Sequence, residues 1–210
     1  MKNILVIDDH AVMREGIKQI LEDDFLKVRF GEAGNAGEAL DLVRRQKWDV
    51  VILDIVLPGR SGFDVLKEIR RDNPKLPILV YSMHAEEEFA IRALRSGASG
   101  YLAKTDVAEE LVKAIRHLLE GRKYISESLA ERLASELDTQ ADKQPHSRLS
   151  NREYQIMLML ASGKTISQIA AEMSLSIKTI STYRTRMLGK MEMKSIAEVI
   201  HYVIERKLLE

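Results

Sequence analysis

Three acids stand where apolar runs stop. The stretch "ILVIDDH" at 4–10 ends in Asp8 and Asp9, and the apolar run that opens "VVILDIVLPG" at 50–59 ends in Asp54 before a Pro-Gly turn. A hydroxyl, Ser82, closes "ILVYS", and an ammonium, Lys104, closes "GYLAK". Clustered carboxylates repel one another and need a cation, and hard oxygen donors with room for water favour Mg2+. An ammonium and a hydroxyl beside them complete the surroundings of a phosphoryl group carried on a carboxylate. Strand ends also carry polar groups simply because they meet water. That account serves for Ser82 alone, but not for four strand ends in one domain.

Such a set can meet only if the strands that carry it are parallel. Short β-branched or apolar runs at 4–7, 27–30, 50–53, 78–81 and 99–102 alternate with segments of helical period, which predicts five β/α units. The expected fold is an α/β doubly wound five-stranded parallel sheet with helices on both faces. All carboxyl ends then lie on one edge, beside the switch in strand order where ligands bind. Asn35 with Glu38, and Asp106 with Glu109, have the spacing of capping pairs, and Gly121 suits the end of the last helix.

Composition sets the class. The chain has 210 residues, of which 45% are hydrophobic and 30% charged, as in ordinary globular proteins. It contains no cysteine, which excludes disulfides and thiolate metal sites and makes an intracellular compartment the default. Asp8 and Asp9 cut the first apolar run too short for a signal peptide, and no run reaches the roughly 20 residues of a membrane span. A cytoplasmic protein without membrane association is expected. Net charge is zero, yet residues 149–210 carry nine Lys+Arg against six Asp+Glu, a bias toward an anion-binding end.

That end reads as helices. In 126–137, Leu129, Leu133 and Leu137 recur at helical spacing, and the polar stretch 138–148, "DTQADKQPHSR", reads as a flexible linker. Three hydroxyl caps follow, Ser150 with Glu153, Thr165 with Gln168 and Ser195 with Glu198, and Ser176 caps a further helix to about Met191. The second domain is therefore four short helices without a sheet. The helix from 165, the turn "MSLS" and the helix from 176 form a helix-turn-helix whose second helix can enter a major groove. Ile180, Met187 and Met191 make its core stripe. Lys178, Ser181, Thr182 and Thr185 lie on another face, short or basic enough to approach bases and phosphates. A small packing bundle with a solvated face has the same pattern.

Residues 1–121 resemble the receiver domain of two-component response regulators. Residues 149–210, with "LSNRE", "SGKTISQIA" and "LSIKTISTYRTRMLGKM", resemble the LuxR-type helix-turn-helix. Together they resemble the NarL/FixJ family of response regulators, with 122–148 as a linker containing one helix. The resemblance implies a DNA-binding transcriptional regulator, not a conventional enzyme, controlled by a partner sensor histidine kinase. It makes Asp54 the phosphoacceptor, with Mg2+ bound directly by Asp9, Asp54 and the Val56 carbonyl and through water by Asp8. Ser82 and Tyr101 become the switch residues, Tyr101 turning inward on phosphorylation, and Lys104 contacts the phosphoryl group. A core role for Tyr101 is equally natural, since an aromatic near a strand end often just packs. On promoter DNA it makes Lys178, Thr179, Tyr183 and Arg184 phosphate contacts, and Ser181, Thr182 and Thr185 base readers. The final helix, 196–204, becomes the homodimer element of the phosphorylated protein. Leu57 and Thr105 depart from the common receiver pattern, as does Ser181 where many relatives are basic. A phosphatase of the haloacid dehalogenase type also uses an aspartyl-phosphate. It requires a second Asp two residues after the nucleophile, where this chain has Val56.

Overall fold

A computed structural model describes residues 1–83, 86–126, 129–131, 144–206 and 208–209, with residues 86–88 described by backbone alone. The chain divides into two compact units, 1–135 and 136–210. In the first, strands β1 (Lys2–Ile7), β2 (Val28–Ala33), β3 (Val50–Leu53), β4 (Ile78–Ser82) and β5 (Gly100–Ala103) alternate with helices α1 (Ala11–Asp24), α2 (Ala36–Arg45), α3 (Gly62–Asp72), α4 (Glu86–Arg95) and α5 (Ala108–Leu119). The sheet is wholly parallel in the order β2-β1-β3-β4-β5, the doubly wound order whose switch lies between β1 and β3. Every residue of β3, β4 and β5 is buried. Helices cover both faces there, so the apolar runs show no alternation.

Register carries the placement of the acids. Ile7 pairs with Leu53, Leu53 with Val80, and Ser82 with Ala103. The residues that follow, Asp8, Asp54 and Lys104, therefore leave the sheet at one level. Asn35 caps α2 by accepting the Glu38 N–H at 3.0 Å. The expected Asp106 cap does not form: α5 starts after Val107, and the Asp106 carboxylate instead accepts the Ala103 N–H at 2.9 Å. An Asp can close a turn on its own side as readily as it caps a helix. Gly121 ends α5 with φ +77°, a conformation that favours glycine.

The second unit holds a 3-10 turn (Pro145–Arg148) and helices α6 (Asn151–Ala161), α7 (Ile166–Glu172), α8 (Ile177–Met191) and α9 (Ile196–Glu205). Ser150 and Thr165 form complete capping boxes with Glu153 and Gln168, and Ser176 and Ser195 accept the Thr179 and Glu198 N–H groups. The tight turn from α7 to α8 puts Ser174 at φ +51°. Ile180, Met187 and Met191 are buried, and α8 packs on α6 and α7.

The expectation of an unstructured linker to residue 148 fails at its end. Pro145 presets the first turn position, and His146 is 3% exposed, its Nδ1 2.6 Å from the Tyr202 hydroxyl. Local composition could not show this, because the partner lies 56 residues away. Residues 138–143 lie outside the described residues, as does most of the helix expected at 126–137. Of that helix, Ser126 Oγ accepts the Leu129 N–H at 3.3 Å. Among the described residues no helix is long and apolar enough to cross a membrane.

Candidate functional site

The strand ends converge through backbone bonds that run one residue past the sheet. Asp8 N–H donates to Ala33 O, Asp54 N–H to Ile7 O, and Lys104 N–H to Ser82 O, at 3.1, 2.8 and 2.8 Å. Lys104 Nζ then lies 2.5 Å from both Asp8 Oδ2 and Asp54 Oδ2. The three side chains are 2, 2 and 5% exposed. The other Asp54 oxygen accepts the Val56 N–H at 2.9 Å. Ser82 and Tyr101 are fully buried, Tyr101 within the core.

Two carboxylates share one ammonium, which leaves the buried triad one charge negative. Burial, with help from the Asp8 charge, holds the Asp54 carboxyl above the usual range against the pull of Lys104 and the Val56 N–H. Burial alone would lower the Lys104 ammonium, but the Asp54 and Asp8 carboxylates outweigh it and push it up. Asp9 stands on the open side, one-third exposed, beside His10, whose Nδ1 is 2.9 Å from Asp9 Oδ1 and 3.2 Å from Asp8 Oδ1. Ligand atoms of Asp8, Asp9 and His10 all lie within 4.8 Å of one another. His10 is a neighbour that the sequence reading missed, although "DDH" placed it next to the acids. An uncompensated, oxygen-rich set with one open side fits a small hard cation that keeps several waters.

Behind Asp54, α3 begins against the strand it follows. Gly62 N–H donates to Ile55 O at 3.0 Å, and a Cβ on Gly62 would lie 2.2 Å from Asp54 O and 2.5 Å from Ile55 Cα. Both obstacles are backbone, so neither can rotate away. Gly62→Ala is expected to destabilise the first unit by about 3 kcal/mol, the upper part of the overpacking range. Urea unfolding checks this; a wild-type midpoint would show that the Asp54 loop yields freely.

On α8 the exposed face differs at one position from the face expected from spacing, because Ser181 is half-buried. Lys178, Thr182 and Thr185 are exposed, and Thr179, Ser181, Tyr183 and Arg184 half-buried. Thr182 Oγ1 donates to Lys178 O at 3.0 Å and Thr185 Oγ1 to Ser181 O at 3.1 Å. Both hydroxyls keep their lone pairs for an incoming donor. Arg184 Nε is buried with no hydrogen-bond partner among the described residues.

Residues 4–116 match the response regulator receiver domain family, and residues 147–203 the luxR family of bacterial regulatory proteins. Response regulator UvrY of Escherichia coli (strain K12) is 35% identical over 210 residues, covering 99% of this chain and 96% of UvrY. Response regulator GacA of Pseudomonas aeruginosa is 34% identical over 212 residues, covering 100% and 99%. The solved structure of RcsB from Salmonella enterica serovar Typhimurium, bound to promoter rprA in the presence of phosphomimetic BeF3−, superposes with a TM-score of 0.65 at 25% identity. It covers 96% of this chain and 97% of that one. Fold, acidic edge and helical unit thus define a response regulator with a receiver and a LuxR-type DNA-binding domain. The chain belongs to the NarL/FixJ family of two-component response regulators. Receivers of this family generally use Mg2+, and the family works with histidine kinases and DNA.

Proposed function

We propose that this protein is a transcriptional regulator switched by phosphorylation of Asp54, with a receiver over 1–121, a linker over 122–148 and a DNA-binding domain over 149–210. The observation that carries the reading is the Lys104 ammonium bridging Asp8 and Asp54 at the carboxyl edge of the sheet. An Asp54 oxygen attacks the phosphorus of a phosphohistidine on the sensor kinase. The P–N bond breaks, and the imidazole nitrogen leaves with the bonding pair. Asp9, Asp54 and the Val56 carbonyl, with Asp8 through water, would hold Mg2+, which when bound would supply positive charge against the phosphoryl oxygens. Lys104 releases part of its hold on the carboxylates to contact those oxygens, and Ser82 donates from the adjacent strand. The receiver catalyses only its own phosphoryl transfer and slow dephosphorylation.

The charge added at Asp54 promotes a homodimer, through α9 in the DNA-binding units, which sets two α8 helices on half-sites about one helical turn apart. Phosphorylated protein is expected to bind its promoter roughly 5–150-fold more tightly than unphosphorylated protein, and specific DNA to favour the phosphorylated form by the same factor. Titration of labelled promoter with both forms measures this, and equal affinities would remove phosphorylation as the switch.

Within α8, roles separate by salt. Lys178→Ala and Arg184→Ala should weaken binding to every duplex and lower the salt slope by about one for each lost phosphate contact, as would loss of phosphate contacts from Thr179 or Tyr183. Thr182→Ala and Thr185→Ala, like changes at Ser181, should relax preference at particular base pairs by about 1–3 kcal/mol. Equal losses on specific and random duplex by the threonine variants would sink the base-reading assignment.

A further inference from the structure

At the opposite end of the sheet from Asp54, the segments that lead into β4 and β5 border an open-sided pocket of about 350 Å3. Arg70, Lys75, Arg122 and Lys123 line it, and no Asp or Glu does among the described residues. Arg70 spends its hydrogen bonds on neutral acceptors: Gly97 O at 2.9 Å, Pro74 O at 2.6 Å and Ser99 Oγ at 3.4 Å. Burial pulls its guanidinium pKa down, and no carboxylate opposes the pull. Arg122 pairs with Glu120. Lys75 and Lys123 have no ion pair among the described residues, and both are exposed. Pro77, Leu94 and Leu118 give the same pocket an apolar wall.

Arg70, Lys75 and Lys123, none of them paired with a carboxylate among the described residues, form an amphipathic site beside the apolar wall. Its volume lies at the small end of the range for small-molecule pockets, about 300–1,000 Å3. We propose that this pocket binds a small phosphorylated ligand of the nucleotide class, its phosphates against Lys75 and Lys123 and its ring against the Pro and Leu wall. Lysine and arginine are the side chains that hold phosphate oxygens most strongly, and the wall accounts for a preference over bare phosphate. The site shares no residue with the Asp54 cluster or with α8, so it stands or falls apart from the function proposed above.

Calorimetric titration of the full chain in Mg2+-free buffer, with ATP, GTP, inorganic pyrophosphate and adenosine, tests it. At least one nucleoside triphosphate should bind saturably with a Kd below about 1 mM, more tightly than pyrophosphate or adenosine. Lys75→Glu with Lys123→Glu should weaken that binding by roughly tenfold or more, whereas Lys178→Glu on the recognition helix should leave it unchanged. Both lysines are exposed, so circular dichroism melting should match wild type, and the Lys75→Ala, Lys123→Ala pair repeats the test without reversed charge. Absence of saturable binding, binding indifferent to both pairs, loss through Lys178→Glu, or pyrophosphate binding as tightly as the nucleotides would each overturn the assignment.

Discussion

Asp54→Ala should accept no phosphoryl group. Incubated with Mg2+ and acetyl phosphate, the wild-type chain should gain one acid-stable, base-labile phosphoryl group by intact mass, and the variant none. Asp8 is equally buried and is bridged by the same ammonium. The two acids differ in what else holds them. Asp8 Oδ1 accepts the His10 N–H at 2.8 Å, with the His10 ring 3.2 Å away, while among the described residues Asp54 Oδ1 accepts only the Val56 N–H. Asp54 also follows the central strand β3, whose neighbours β1 and β4 end in the other acids and in Ser82. Loss of Asp8 should therefore weaken metal binding, and raised Mg2+ should partly restore phosphorylation of Asp8→Asn but never of Asp54→Ala. An equally modified Asp54→Ala protein would place the acceptor elsewhere.

Lys104→Met should cost about 3–5 kcal/mol of folding stability in metal-free buffer, because it strands two buried carboxylates without their shared cation. Adding Asp54→Asn to it should return part of that loss, and a double-mutant cycle by urea unfolding measures the coupling. The pH dependence has a definite sign. The folded-state pKa of Asp54 is raised above its ordinary value of 3.8. Its contribution is thus fully present below the unfolded pKa and is lost as pH rises through the folded pKa. Without metal, Asp54→Asn should therefore gain stability relative to wild type as pH rises from the ordinary carboxyl value through the folded-state pKa of Asp54. The folded-state pKa of Lys104 is also raised, above 10.5, so its contribution persists at neutral pH and disappears only in strong alkali. A Lys104→Met chain as stable as wild type would mean that the bridge carries no folding energy.

Much of this molecule could be read from local pattern. Apolar runs that stop at Asp8, Asp54, Ser82 and Lys104 name the strands and their ends at once, and parallel pairing puts all such ends on one edge whatever the loops do. Ser150, Thr165 and Ser176 mark helix starts because capping is a contact over three residues, and the Ile180, Met187 and Met191 stripe follows from helical period alone. What the sequence could not decide is which partner each group takes across the fold. Lys104 meets Asp8 and Asp54, 96 and 50 residues away, rather than Asp9. His146 finds Tyr202 from within a stretch whose composition reads as linker. Asp106 turns back to Ala103 instead of capping α5. Gly62 has to be glycine because Asp54 and Ile55 backbone fills the space beside it, and the basic pocket exists because Arg70 and Lys123 come together from different elements. These are choices among chemically equivalent local options, and packing makes them: each buried polar group takes the partner that the close-packed backbone brings within hydrogen-bond reach.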